Sequence, residues 1–163
     1  MLISCTSGKK NNNEIMMMEF SFDSTRVEAE CTVFATDFCF RPPAGMKNYD
    51  GLMKSVSSSL NLFPFYIYSL FCTAYFNSKN RSLLIITMSH NKLPNRKDEI
   101  LKNNNMVLQS DMAFYKDNLL FHQLLYSDAN NMMLILLHPE EDIVIEFYFM
   151  IPLNIYNSYQ QKY

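Results

Sequence analysis

The most restrictive feature of this chain is its last third, where four apolar runs follow one another with turn-forming residues between them. The runs are Met106–Tyr115, Leu119–Tyr126, Met132–Leu137 and Ile143–Ile151. The breaks read Lys116-Asp117-Asn118, Ser127-Asp128-Ala129-Asn130-Asn131 and His138-Pro139-Glu140-Glu141-Asp142. They have hairpin length and hairpin chemistry, so the pattern predicts an antiparallel meander. Within the last run Val144, Glu146, Tyr148 and Met150 alternate with Ile143, Ile145, Phe147, Phe149 and Ile151. One face is therefore uniformly apolar and is expected to pack on helices.

Upstream the pattern is more mixed. Residues 1–13 are polar and without periodicity, which predicts a disordered tail. Residues 14–34 fit a helix that ends in an extended segment. Phe38-Cys39-Phe40 reads as a short strand stopped by Pro42 and Pro43, with Gly45 in a tight turn. Tyr49-Asp50-Gly51 reads as the first turn of a short helix capped by Asp50. Ser55–Ser78 carries no charge and is long enough to be tested as a membrane span. Against a span stand Pro64, Asn61, the serines Ser57 to Ser59 and aromatics spread along the segment instead of gathered at its ends, which favours a buried helix or an aromatic strand pair. Ser82–Met88 is strand-like, Asn91–Asn105 reads as a loop, and the chain from Asn154 is polar and Tyr-rich. The domain reading is a tail at 1–13, one α+β domain over 14–153 with an apolar insertion at about 55–105, and a polar tail at 154–163.

With 163 residues and 48% hydrophobic positions, one core is the expectation. A net charge of -2 gives no footprint for a phosphate backbone, so nucleic acid is not an expected partner. Cys5, Cys31, Cys39 and Cys72 are spaced by 26, 8 and 33, which matches neither a disulfide scaffold nor a zinc ribbon. They read as reduced, mostly buried small apolar residues, which fits a cytoplasmic location. Asn80-Arg81-Ser82 is formally a glycosylation acceptor and is treated as a chance match. The amino terminus places its basic pair, Lys9-Lys10, after the apolar residues, so no signal peptide is expected.

The segment Val33-Phe34-Ala35-Thr36-Asp37-Phe38-Cys39-Phe40-Arg41-Pro42-Pro43-Ala44-Gly45, then Tyr49-Asp50-Gly51-Leu52, then the meander, resembles the nuclear transport factor 2-like superfamily with its SnoaL-like and ketosteroid isomerase-like members. Ser110-Asp111-Met112-Ala113-Phe114 and Phe121-His122-Gln123 are similar to that family's long strands, and Leu134–Phe149 to its last hairpin. The likeness covers residues 31–54 and 106–151. Tryptophan is absent from the last hairpin, where many relatives carry one, and residues 55–105 are longer and more apolar than the usual connection. The resemblance implies an α+β fold in which a curved antiparallel sheet wraps a few helices as a cone. It also implies a pocket for a small apolar molecule, or a surface for a protein partner, and a possible homodimer.

No strong catalytic signature is present. Isomerase-like members use a pocket carboxylate as base and a tyrosine or protonated acid to hold an enolate oxygen. Asp37, Asp111 and Tyr49 supply those residue types, but none lies in a motif specific enough to carry the role. The ligand-binding expectation names Arg41, Tyr49, His122 and Tyr126. Arg41 would hold an anionic group at the pocket mouth, and His122 shares a strand face with Tyr126. His90, His122 and His138 are too dispersed for a metal site, so neither metal nor cofactor is expected. Two other readings compete with a binding domain. One anchors the chain in a membrane through residues 55–78. The other takes Gln123-Leu124-Leu125-Tyr126 and Asn131–Pro139, which are similar to a strand pair of serpin inhibitors, as part of a serpin-like fragment without the inhibitory loop.

Overall fold

A computed structural model describes residues 16–17, 28–33, 36, 38–49, 51, 70–90, 92–103, 106–116 and 118–160. The expected tail at 1–13, Asp37, and residues 55–69 of the proposed span lie outside them. The strands are β1 (Met16–Met17), β2 (Cys31–Thr32), β3 (Cys39–Phe40), β4 (Lys47–Asn48), β5 (Leu70–Asn77), β6 (Ser82–Ser89), β7 (Val107–Lys116), β8 (Leu119–Ser127), β9 (Asn131–Glu140) and β10 (Ile143–Pro152). Helix α1 is Leu93–Asn103 and α2 is Leu153–Gln160. One sheet has the order β1-β7-β8-β9-β10-β6-β5-β4, and β2 pairs with β3. All pairs in the large sheet are antiparallel except the two-residue contact of β1 with β7.

Local chemistry sets the turns. Between β5 and β6, Asn77 Oδ1 accepts the Lys79 amide at 3.0 Å and Asn80 Oδ1 accepts the Ser82 amide at 3.0 Å, with Arg81 at φ 57°. Between β8 and β9, Asp128 Oδ1 accepts the Asn130 and Asn131 amides, each at 2.7 Å. Those amides hold the Asp128 carboxyl below its ordinary value. Gly45 has φ 79°, and a Cβ there would lie 2.9 Å from Asn77 Nδ2, so the turn before β4 requires glycine.

The sheet has two dissimilar faces. On one, α1 seals Ala74, Ile85, Leu124, Ile135, Leu137 and Tyr148 with Ile100, which has no exposed surface. On the other, the segment 28–49 lays Val33, Phe38 and Phe40 over Tyr75, Ile86, Ile145 and Phe147. The Phe38 ring centroid lies 5.6 Å from that of Phe147, 5.1 Å from that of His138 and 6.4 Å from that of Phe121.

The structure corrects the expected α+β cone. The described residues are mostly strand with two short helices, one nearly all-sheet body. Several physical reasons account for the difference. Met16–Met17 is strand paired to Phe114 and Tyr115, not helix. Leu70–Asn77, rich in aromatics, is a sheet strand, which agrees with the aromatic-strand alternative and not with an apolar helix, and no described helix is long and apolar enough to cross a membrane. The segment expected as an insertion, about 55–105, holds β5, β6 and α1 among its described residues. Asn91–Asn105 is largely α1 and not a loop, because Arg96 and Lys97 sit where the buried stripe Leu93, Ile100 and Leu101 leaves gaps, disguising its period. The meander and the alternation in β10 hold. However, α1 covers the Val144, Glu146, Tyr148 and Met150 side, while the uniformly apolar side lies under extended chain. His138 and Pro139 are strand residues: β9 outruns its pairing with β8, which ends at Leu137, so the missing Pro139 donor breaks no described ladder. The polar tail contains α2, whose first amide, on Leu153, donates to the Asn130 carbonyl at 2.7 Å.

Ile100→Ala is expected to lower unfolding stability by about 2–5 kcal/mol, the cost of a cavity under α1. Lys102→Ala on the exposed side should change it by less than about 0.5 kcal/mol. Urea denaturation of both variants checks the orientation of α1, and equal losses would contradict it.

Candidate functional site

The densest polar chemistry in the described residues is buried under α1. Arg96 is 1% exposed and Glu146, at the centre of β10, is fully buried. The guanidinium meets the carboxylate side-on: Nε donates to Oε1 at 2.5 Å and Nη2 to Oε2 at 3.0 Å. Oε2 also accepts the Tyr148 hydroxyl at 2.5 Å and the Thr87 hydroxyl at 3.0 Å. Nη2 further donates to the Tyr148 oxygen at 3.1 Å, and Nη1 reaches Glu99 Oε2, one turn along α1, at 3.1 Å.

The sheet register builds this arrangement. Thr87 of β6 lies opposite Glu146, and Leu137 of β9 lies opposite it on the other side. Tyr148 follows two residues along β10, on the same face. Burial works against the Arg96 charge, yet the hydrogen bonds and charge of Glu146 outweigh it and hold the guanidinium protonated above its ordinary range. Burial and the Glu146 charge keep the Tyr148 phenol well above its ordinary value. Burial, and then the charge of Glu146, push the Cys72 thiol up to about 11. Of the described cysteines, expected to be mostly buried, Cys72 is buried, Cys31 is partly exposed and Cys39 is exposed. Both carboxylate oxygens are engaged and Glu146 has no exposed surface. The cluster anchors a helix to a strand.

A second ion pair joins α1 to the sheet one residue further on, where Lys97 Nζ lies 2.8 Å from Asp111 Oδ1 of β7. Both side chains are partly exposed, at 25% and 35%. His122, on β8, sits half-buried beside this pair. Burial and the Lys97 charge lower its pKa, against an opposing contribution from Asp111.

The structure brings together two of the four residues expected to bind ligand. His122 and Tyr126 share the α1 face of β8, as their alternation implies, with Tyr126 2% exposed. Arg41 belongs to the segment on the opposite face, where its exposed side chain lies 3.5 Å from Glu30. Tyr49 is 41% exposed and rests its ring on Phe76, with a centroid separation of 5.8 Å. Among the described residues no three His, Cys, Asp or Glu side chains gather as a metal site.

Sequence reasoning did not find Arg96, Glu146, Tyr148 and Thr87 as a group. A usable signal existed: Glu146 is the lone charge in the apolar run Ile143–Ile151, and a carboxylate there demands a buried partner. The partner was hidden because its helix reads as a loop. No protein-family model matches the chain, and no curated protein matches it.

Arg96→Met and Glu146→Leu should each cost roughly 3–5 kcal/mol, since either leaves a buried charge alone. The double variant should lie well short of their sum, and strict additivity in denaturant titrations would contradict the pairing. Native protein treated with a disulfide thiol reagent at pH 8 should be labelled at exposed Cys39 and spared at Cys72, as read by peptide mass spectrometry. Labelling of Cys72 at the rate of Cys39 would contradict its burial.

Proposed function

We propose that this chain is a non-catalytic binding domain that takes an extended, apolar segment of a protein partner alongside β7. The observation that carries the reading is the exposure of two large apolar side chains on this outermost long strand: Val107 is 65% and Leu108 40% exposed. Outer strands are ordinarily blunted by charge or short length, and β7 runs for ten residues. Its outer side is paired among the described residues only at Phe114 and Tyr115, by the parallel segment Met16–Met17. The same edge therefore already accepts extended chain, and strand addition would continue that pairing toward Val107. A cytoplasmic location is part of this proposal, in keeping with reduced Cys31, Cys39 and Cys72.

The test selects random ten-residue peptides displayed on phage against the full chain. Selected peptides should alternate apolar residues and lose at least about tenfold in affinity against Val107→Lys/Leu108→Lys, which removes apolar contact at the strand end without touching the core. Peptides that bind both chains equally, or no enrichment at all, would overturn the reading. A concentration-dependent dimer abolished by the same double substitution would replace the partner peptide with a second copy.

A further inference from the structure

Helix α1 grips the sheet at two points that differ in exposure. Arg96 closes on Glu146 of β10 in the dry core, and Lys97 closes on Asp111 of β7 at the half-exposed margin. His122 lies beside the second grip. Its strand partner on β7 is Ala113, while Asp111 lies opposite Leu124, two residues along. His122 and Asp111 are thus diagonal neighbours on one face, within reach of long side chains. His122 Nδ1 is buried and has no hydrogen-bond partner among the described residues, so no hydrogen bond at that nitrogen favours the charged ring.

Among the described residues, few charged and titratable groups surround His122. Helix α1 contributes Lys97, while its Glu99 is taken by Arg96. Strand β7 contributes Asp111 and, diagonally on the other side, Tyr115, opposite Leu120. The facing residue on β9 is Leu137, and the next strand holds Glu146, committed to Arg96, Tyr148 and Thr87. On β8 itself Tyr126 shares the face. Among the described residues, a proton on His122 therefore places a second cation beside Asp111, the carboxylate that Lys97 already pairs.

We propose that His122, Asp111 and Lys97 form an acid-sensitive latch under α1: protonation of His122 divides the Asp111 carboxylate between two cations and loosens the hold of α1 on β7, while Arg96–Glu146 keeps the helix on β10. The sign follows from linkage. The histidine binds its proton less readily with α1 docked than when released, so the released form gains population as pH falls from the ordinary histidine range through the lowered one. Docking is fully favoured above that window.

Amide hydrogen exchange of the full chain, corrected for intrinsic rates, tests the latch between pH 7.5 and 5. Protection of residues 96–103 should fall, by up to about tenfold for each unit separating the docked and released titrations, while β9 and β10 stay protected. His122→Gln should abolish that fall. No fall in the parent chain, or an equal fall in H122Q, would overturn the proposal. Should H122Q fail to fold, Lys97→Met provides the second arm. Followed by NMR of the ring, the His122 titration should move up in K97M, and an unmoved titration would refute the latch.

Discussion

The contact between Arg96 and Glu146 fixes how the rest of the molecule is arranged. It ties the one helix between β6 and β7 to the middle of β10, the strand on which the carboxyl-terminal meander and the β5–β6 hairpin meet. Removing two charges from water costs several kcal/mol per ion, and the pair is tolerable because the carboxylate accepts hydrogen bonds from Thr87, Tyr148 and, twice, from Arg96. Such a pair adds little net stability over an apolar core of the same shape. It does specify which residue of α1 meets which residue of β10, and a sliding helix would strand both charges.

With that point fixed, the two faces of the sheet take different roles. The α1 face mixes aliphatic packing with polar anchors, from Glu146 in the centre to Asp111 at the margin. The margin pair is partly solvated and contributes little to stability. That is the property a contact needs if it is to be released without unfolding the domain. The opposite face is closed by aromatic packing around Phe38 and Phe147, with His138 Nδ1 donating to the Leu120 carbonyl at 2.9 Å.

The sequence was legible where period and turn chemistry agree. β7 to β10, and β6 before them, follow from alternation and from Asn118, Asp128 and the Glu141–Asp142 turn, in which Glu141 takes φ 47°. It was illegible where a charged residue occupies a core position. Arg96 and Lys97 break the apolar stripe of α1 and make a helix look like a polar connection, so the fold was read with its helices in the wrong place. The short strands β1 and β4 have no periodicity of their own and exist only through the neighbours they pair with. Of the candidate site, the shared face of His122 and Tyr126 followed from period two. The link between Arg96 and Glu146, fifty residues apart, depends on topology that no local pattern carries.

The most direct measurement is the Arg96 Nε–H resonance in the folded chain, observed by NMR at pH 7 and 25 °C. The account predicts a separate, downfield signal in slow exchange with water, with a through-hydrogen-bond coupling or nuclear Overhauser contact to the groups of Glu146 and Tyr148. A signal averaged with solvent, and lacking any contact to β10, would contradict a buried clasp and with it the placement of α1 on the sheet.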